Sequence, residues 1–155
     1  MSEVFRVCKV FEIESGHQLS KHPGRCRFPH GHSRRIEVVL SSEKLDENDM
    51  VCDFAAVKGI LESYLDAYDH AMMVNSEDPS LGSIRASSER VIVVEGEDPT
   101  TEVLARRIYI HLSERLSTGE PVRAGAGTYR LAPGLRVERV RVGETSSTWA
   151  EYGQA

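Results

Sequence analysis

Two runs of alternating apolar residues, Val4 to Ile13 and Arg35 to Leu40, bracket a histidine-rich connection. No other feature constrains the chain as strongly. Period-two alternation marks a half-buried strand. In the first run Phe5, Val7, Phe11 and Ile13 share a face that Lys9 interrupts, and in the second Ile36, Val38 and Leu40 share one. Paired as a hairpin, the strands bring the end of the first back to the start of the second. His17 lies just past the first strand and His30-Gly31-His32 just before the second. With His22, these account for four of the chain's six histidines.

Residues i and i+2 of an extended segment point to one face, so His30 and His32 form a ready pair of imidazoles, and Gly31 lets the backbone approach closely. With His17 they make a set of three that suits Zn²⁺ and leaves a fourth position for substrate. The competing reading is an HxH pair met by coincidence at a surface. Cys26 lies between Arg25 and Arg27, where cations favour a thiolate. It reads either as a base beside a metal-bound substrate or as a small buried hydrophobe. Cys8 and Cys52, in apolar contexts, read as buried hydrophobes.

Downstream, Leu45 to Met50 forms a polar turn and Asp53 caps a helix that runs to about Tyr68 on the stripe Phe54, Val57, Leu61, Tyr64, Leu65 and Tyr68. Asp69-His70 ends this helix. It reads as a proton-transfer pair or as a histidine favoured by the helix dipole. Residues 75–98 read as a long loop with a small strand, Val91 to Val94. Asp98-Pro99-Thr100 starts a second helix that reaches about Leu116. Residues 118–134 are a Gly- and Pro-rich loop. Leu135 to Val142 is the last strand, and its apolar phase flips between Val137 and Val140, which indicates a bulge. Glu144 follows it, a solvated carboxylate or an acceptor for a paired donor edge. The order predicts an α+β fold with antiparallel pairing through short connections, in a single domain over 1–155. So small a sheet has open edges, which favours subunit pairing.

Segment 17–35 holds five cations (Lys21, Arg25, Arg27, Arg34, Arg35) and no carboxylate, while the whole chain carries −5, so the remainder stands at −10. A basic patch on an acidic protein suits a small anionic ligand better than nucleic acid. The other reading is a solvated basic loop. No apolar run reaches membrane-spanning length. Met1-Ser2-Glu3-Val4 lacks the layout of a signal peptide. Three cysteines without a framework spacing argue against a disulfide scaffold and for a cytoplasmic setting.

Taken together, Phe11-Glu12-Ile13-Glu14-Ser15-Gly16-His17, Cys26-Arg27-Phe28-Pro29-His30-Gly31-His32, Val51-Cys52-Asp53-Phe54, Asp69-His70, Pro99-Thr100-Thr101-Glu102 and Glu144-Thr145 closely resemble the 6-pyruvoyl-tetrahydropterin synthase and 6-carboxytetrahydropterin synthase family. The resemblance implies the tunnelling fold, a four-stranded antiparallel sheet with two helices on one face. Subunits join into a barrel and two trimers stack as a homohexamer with intersubunit active sites. It also implies zinc on His17, His30 and His32, a catalytic thiolate at Cys26, and proton-relay partners Asp69 and His70 from a neighbouring subunit. Glu144 becomes the pterin anchor, and Thr100, Thr101 and Glu102 the segment closing on the same ring.

The implied substrate is 7,8-dihydroneopterin triphosphate, and the positive charge of Lys21, Arg25, Arg27 and Arg34 makes them candidates for its phosphates. The three-residue spacer between Cys26 and His30 resembles the carboxytetrahydropterin branch of queuosine and deazapurine pathways. The alternatives are the pyruvoyl branch, a non-catalytic pterin-binding relative, and a structural metal site with four protein ligands. Two departures from the family pattern bear on the substrate entrance: Ser33-Arg34-Arg35 after the HGH, and a longer stretch between His70 and Pro99.

Overall fold

The structure, a computed structural model, describes residues 3–155. Met1 and Ser2, half of the stretch read for a leader, lie outside them. Strand β1 (Phe5–His17) pairs antiparallel with β2 (His30–Ser42) from Phe5↔Ser42 to His17↔His30. The hairpin is therefore as expected, but both strands are longer. His17 is the last residue of β1 and His30-Gly31-His32 lies inside β2, not before it. The reason is on the core-facing positions: Ile13 is followed by Ser15 and His17, and Ile36 is preceded by Arg34 and His32. The pleat continues while the face turns polar, which erases the apolar alternation.

Helix α1 (Phe54–Asp66) starts where Asp53 accepts from the Ala55 amide, and it ends two residues earlier than its apolar stripe. The first helix therefore stops short of Asp69-His70, which lies in the following turn. Next come β3 (Ala71–Asn75), α2 (Leu81–Ser87) and β4 (Val91–Val94). Here the expectation of purely antiparallel pairing fails: β1, β3 and β4 run parallel. A parallel pair needs a crossover of about a dozen residues. The long stretch read as a loop is that crossover, and α2 is too short to show a helical period.

Helix α3 (Thr101–Ser117) is capped by Thr100, whose hydroxyl accepts from the Val103 amide. The Gly- and Pro-rich stretch folds into a small hairpin, β5 (Val122–Ala124) with β6 (Gly127–Tyr129). Strand β7 (Arg136–Thr145) pairs with β2, and the register jumps from Val39↔Arg139 to Leu40↔Val137. Glu138 is the extra residue, a bulge at the point where the apolar phase flips. A further strand, β8 (Thr148–Gly153), follows, so β7 is not the last.

The main sheet is ordered β4-β3-β1-β2-β7-β8. The fold class is α+β, with six strands in a mixed sheet in place of the four expected. Helices α1 and α3 cover one face, where Ile13, Ile36, Val38, Val140 and Val142 meet Leu61, Leu65, Leu104, Ile108 and Leu112 in one core. Truncating a wholly buried leucine such as Leu104 to alanine costs about 2–5 kcal/mol. The other face carries ion pairs such as Arg35–Glu37 and Arg141–Glu151. Edges β4 and β8 are open. Among the described residues no helix is long and apolar enough to cross a membrane.

Candidate metal centre

At the end of the core, β1 and β2 bring His17, His30 and His32 together, with ligand atoms all within 4.8 Å of one another. Ring centroids lie 4.5–5.1 Å apart. Gly31 permits the close pairing here: a Cβ on it would sit 3.3 Å from the Ser15 carbonyl oxygen. The His17 and His32 Nε2 atoms are 3.2 Å apart. Two nitrogens on one tetrahedral zinc are separated by about 3.3 Å.

Two of the three second nitrogens are also committed. His17 Nδ1 lies 2.7 Å from the Pro99 carbonyl oxygen and His30 Nδ1 2.7 Å from that of Phe28. A carbonyl only accepts, so each Nδ1 carries the proton and each Nε2 presents its lone pair to the shared centre. Burial lowers the His17 pKa to about 4, opposed by the Pro99 carbonyl and reinforced by Arg34. His32 is lowered too, again mainly by burial. Neutral imidazoles are what a metal requires. The donor set therefore fits a divalent ion such as zinc.

Glu144, at the end of β7, stands beside this group. Its Oε1 lies 3.5 Å from His32 Nε2 and 3.8 Å from His17 Nε2. Thr101, buried at the start of α3, donates its hydroxyl to the same oxygen at 3.1 Å. The Thr101 oxygen in turn accepts from Arg34 Nη1 at 3.0 Å.

Arg34 corrects an expectation. It was a candidate for holding phosphate, but its side chain is 1% exposed and turned into the core face. It donates to Ser15 Oγ at 2.8 Å and to Thr101, so it belongs to the interior of the site. Burial brings it down to about 10, with Glu144 opposing, and it remains a cation at neutral pH. Lys21, Arg25 and Arg27 are exposed, Arg27 lying over the Phe28 ring.

Cys26 sits half-buried in a single 3-10 turn, Arg25–Arg27. The turn is tied down by residues that sequence reasoning missed. The Leu19 amide donates to the Cys26 carbonyl at 2.9 Å. Buried Asp98 accepts from Ser20 Oγ, from the Lys21 amide and from Asn75 Nδ2 at 2.6–3.0 Å. Burial opposes ionisation of Asp98, but these three donors outweigh it and keep the carboxyl below its usual range. Residues 98–101 thus hold four things in succession: Asp98 the loop before Cys26, Pro99 the ring of His17, Thr100 the helix end, and Thr101 the Arg34–Glu144 link. Asp98-Pro99-Thr100 is legible in the sequence only as a helix start, because carbonyl and carboxylate partners come from distant strands. Glu102 is exposed in the first turn of α3.

Asp69 and His70 form a pair, with His70 Nδ1 3.0 Å from Asp69 Oδ2. The Glu14 amide donates to Asp69 Oδ1 at 2.8 Å, which is the largest cause of its lowered pKa. Arg90, another residue missed, donates to the Asp66 and Asp69 carbonyls at 2.6 and 2.7 Å. His70 adopts φ +56° and lines a shallow cavity together with Glu14, Ser15, Gly16, Gly31, His32 and Ser33. Among the described residues, no hydrogen bond or ion pair joins this dyad to Cys26 or to the three histidines. Of the other cysteines, Cys52 is buried as expected, but Cys8 is exposed because it lies on the sheet face that the helices do not cover.

A family model described as 6-pyruvoyl tetrahydropterin synthase matches residues 6–155. The chain is 30% identical to the 6-carboxy-5,6,7,8-tetrahydropterin synthase of Aquifex aeolicus over 96% of this chain and 97% of that protein. It is 34% identical to that of Synechocystis over 70% of this chain and 74% of the relative. Among solved structures, an uncharacterized protein from Wolinella succinogenes superposes with a TM-score of 0.79 at 20% identity, covering 99% of this chain and 100% of the other. The 6-pyruvoyltetrahydropterin synthase of Plasmodium vivax does so with 0.69 at 15% identity, covering 98% of each. At these identities the two structures speak for the fold.

Proposed function

The chain belongs to the 6-pyruvoyl tetrahydropterin synthase family, and on that premise we propose that it is a zinc-dependent lyase acting on 7,8-dihydroneopterin triphosphate. We assign it to the 6-carboxy-5,6,7,8-tetrahydropterin synthase branch, which releases acetaldehyde and triphosphate. The observation that carries the reading is the meeting of three metal-ready imidazoles with the Glu144 carboxylate at 3.5–3.8 Å. One carboxylate beside one open metal position can hold a heterocycle's paired N–H donors while the side chain of that heterocycle reaches the metal. The spacing of Cys26 and His30 and the relatives at 30–34% identity favour the carboxy branch.

Zinc bound by His17, His30 and His32 would supply a Lewis-acid charge to substrate hydroxyls. Pro99 and Phe28 fix the tautomers of the rings that hold it. Glu144 receives the pterin ring N–H and 2-amino group, with Thr100, Thr101 and Glu102 at the ring's edge. Cys26, as thiolate, accepts the proton from the substrate side chain. His70, with Asp69 holding its Nδ1–H, passes protons from Nε2. Among the described residues the dyad makes no hydrogen bond to the metal group, and in this reading it serves the site of a neighbouring subunit in a homohexamer. Lys21, Arg25 and Arg27 meet the triphosphate. Each subunit is a single domain over 1–155, and the setting is cytoplasmic.

Incubation of zinc-loaded protein with 7,8-dihydroneopterin triphosphate, with products identified by mass, tests the reading. The carboxy pterin with acetaldehyde is expected. The pyruvoyl product would move the protein to the other branch of the family, and no consumption would overturn the assignment.

A further inference from the structure

Arg34 poses an electrostatic problem. Its guanidinium is 1% exposed, and among the described residues it has no direct carboxylate partner. A buried cation without a paired anion is costly to the fold. Nη2 lies 3.4 Å from His17 Nδ1, but that nitrogen already gives its proton to Pro99 and has no lone pair to offer. The charge is instead connected to an anion at one remove, through the Thr101 hydroxyl to Glu144. It stands directly behind a metal-ready imidazole, two residues along β2 from another.

We propose that Arg34 is a positioning residue whose buried positive charge weakens the grip of the three-histidine centre on a divalent cation while holding the Glu144 carboxylate in place through Thr101. The inference rests on the metal reading above. Its physical basis is direct: a fixed cation behind His17 repels a dication at Nε2, and the Glu144 carboxylate, 3.5–3.8 Å from the His32 and His17 Nε2 atoms, opposes that repulsion. The Thr101 hydroxyl can link the two because it accepts from one and donates to the other. Removing the cation leaves the centre with the Glu144 charge unopposed.

The dissociation constant for Zn²⁺ is measured by competition with a chromophoric chelator, on the full-length protein and on Arg34→Gln, Arg34→Met and Arg34→Lys. Arg34→Gln retains donors for Ser15 and Thr101 but no charge, whereas Arg34→Met removes both. The expected result is tighter Zn²⁺ binding, by about tenfold or more, in both neutral variants, with Arg34→Lys near the parent. A merely structural role loosens the site, so the direction of the change separates the two. Unchanged or weaker binding in folded Arg34→Gln overturns the proposal, as does unfolding of both neutral variants. A parent protein that binds Zn²⁺ but leaves dihydroneopterin triphosphate untouched fails the enzymatic reading alone, and no Zn²⁺ binding by the parent overturns both.

Discussion

The Pro99 carbonyl oxygen lies 2.7 Å from His17 Nδ1, 82 residues away in the chain, and it fixes which nitrogen of that ring is free. The loop before α3 thereby decides the chemistry of a residue at the end of β1. Burial holds His17 neutral in the fold, at a pKa of about 4 against an ordinary 6.5.

One consequence is an acid-sensitive window. The folded pKa is depressed, so the unfolded chain takes up a proton at His17 between about pH 6.5 and 4 while the native protein does not. Stability is full above this window and falls as pH drops through it, by about 3 kcal/mol over its width. Urea unfolding of chelator-treated protein at pH 7 and pH 4.5 measures the loss. His17→Gln, which cannot titrate, should flatten it, and an equal slope in both proteins would disprove the account.

Asp98 should control the loop that carries Cys26. Asp98→Asn removes charge-assisted acceptance from Ser20, Asn75 and the Lys21 amide. A destabilisation of about 1–3 kcal/mol is expected. Hydrogen exchange at the Lys21 and Leu19 amides should rise ahead of exchange in the core of α3. Unaltered protection at both amides would refute the brace.

Arg90 grips the carbonyls of Asp66 and Asp69 and so sets the turn that presents His70. In Arg90→Ala, turnover of dihydroneopterin triphosphate should drop while Zn²⁺ affinity stays at the parent value, since none of the three ligands is touched. Simultaneous loss of metal binding would mean that Arg90 supports the whole sheet instead.

Glu144 is expected to act on the ring. Each charge-assisted hydrogen bond it makes is worth about 1.5–3 kcal/mol, so Glu144→Gln should raise the KM for the pterin at least about tenfold. A KM left at the parent value would remove Glu144 as the anchor.

Among the described residues no hydrogen bond or ion pair joins the dyad to the metal group, and the proposed intersubunit site makes a subunit-mixing experiment decisive. In the shared-site assembly proposed above, oligomers mixed from Cys26→Ala and His70→Ala subunits should recover part of the activity that each variant alone lacks. Absence of recovery, or an active monomer in light scattering, would place the whole relay within one chain.

Much of the site can be read from residue order. Asp53 and Thr100 announce both long helices because capping is local chemistry, and the phase flip at Val137 and Val140 locates the bulge because period two is strict. His30 and His32 share a face for the same reason. Strand β3 and helix α2 are not legible, since a five-residue run with two methionines and a seven-residue helix carry little periodic signal. The length of the 76–90 crossover becomes meaningful only once β3 and β4 are seen to run parallel.

By itself, then, the sequence determined the α+β class, the hairpin and the three histidines, because pleat, helical period and caps act over a few residues. Tertiary structure decided what surrounds them. Arg34 is a surface cation by composition and an interior charge in the fold, because the core-facing pleat continues past Ile36 into the site. Pro99, Asp98 and Arg90 acquire their partners only when residues 21–82 positions apart are folded together. Hydrogen bonds of that range leave no periodic trace in a chain, so only the packed molecule reveals them.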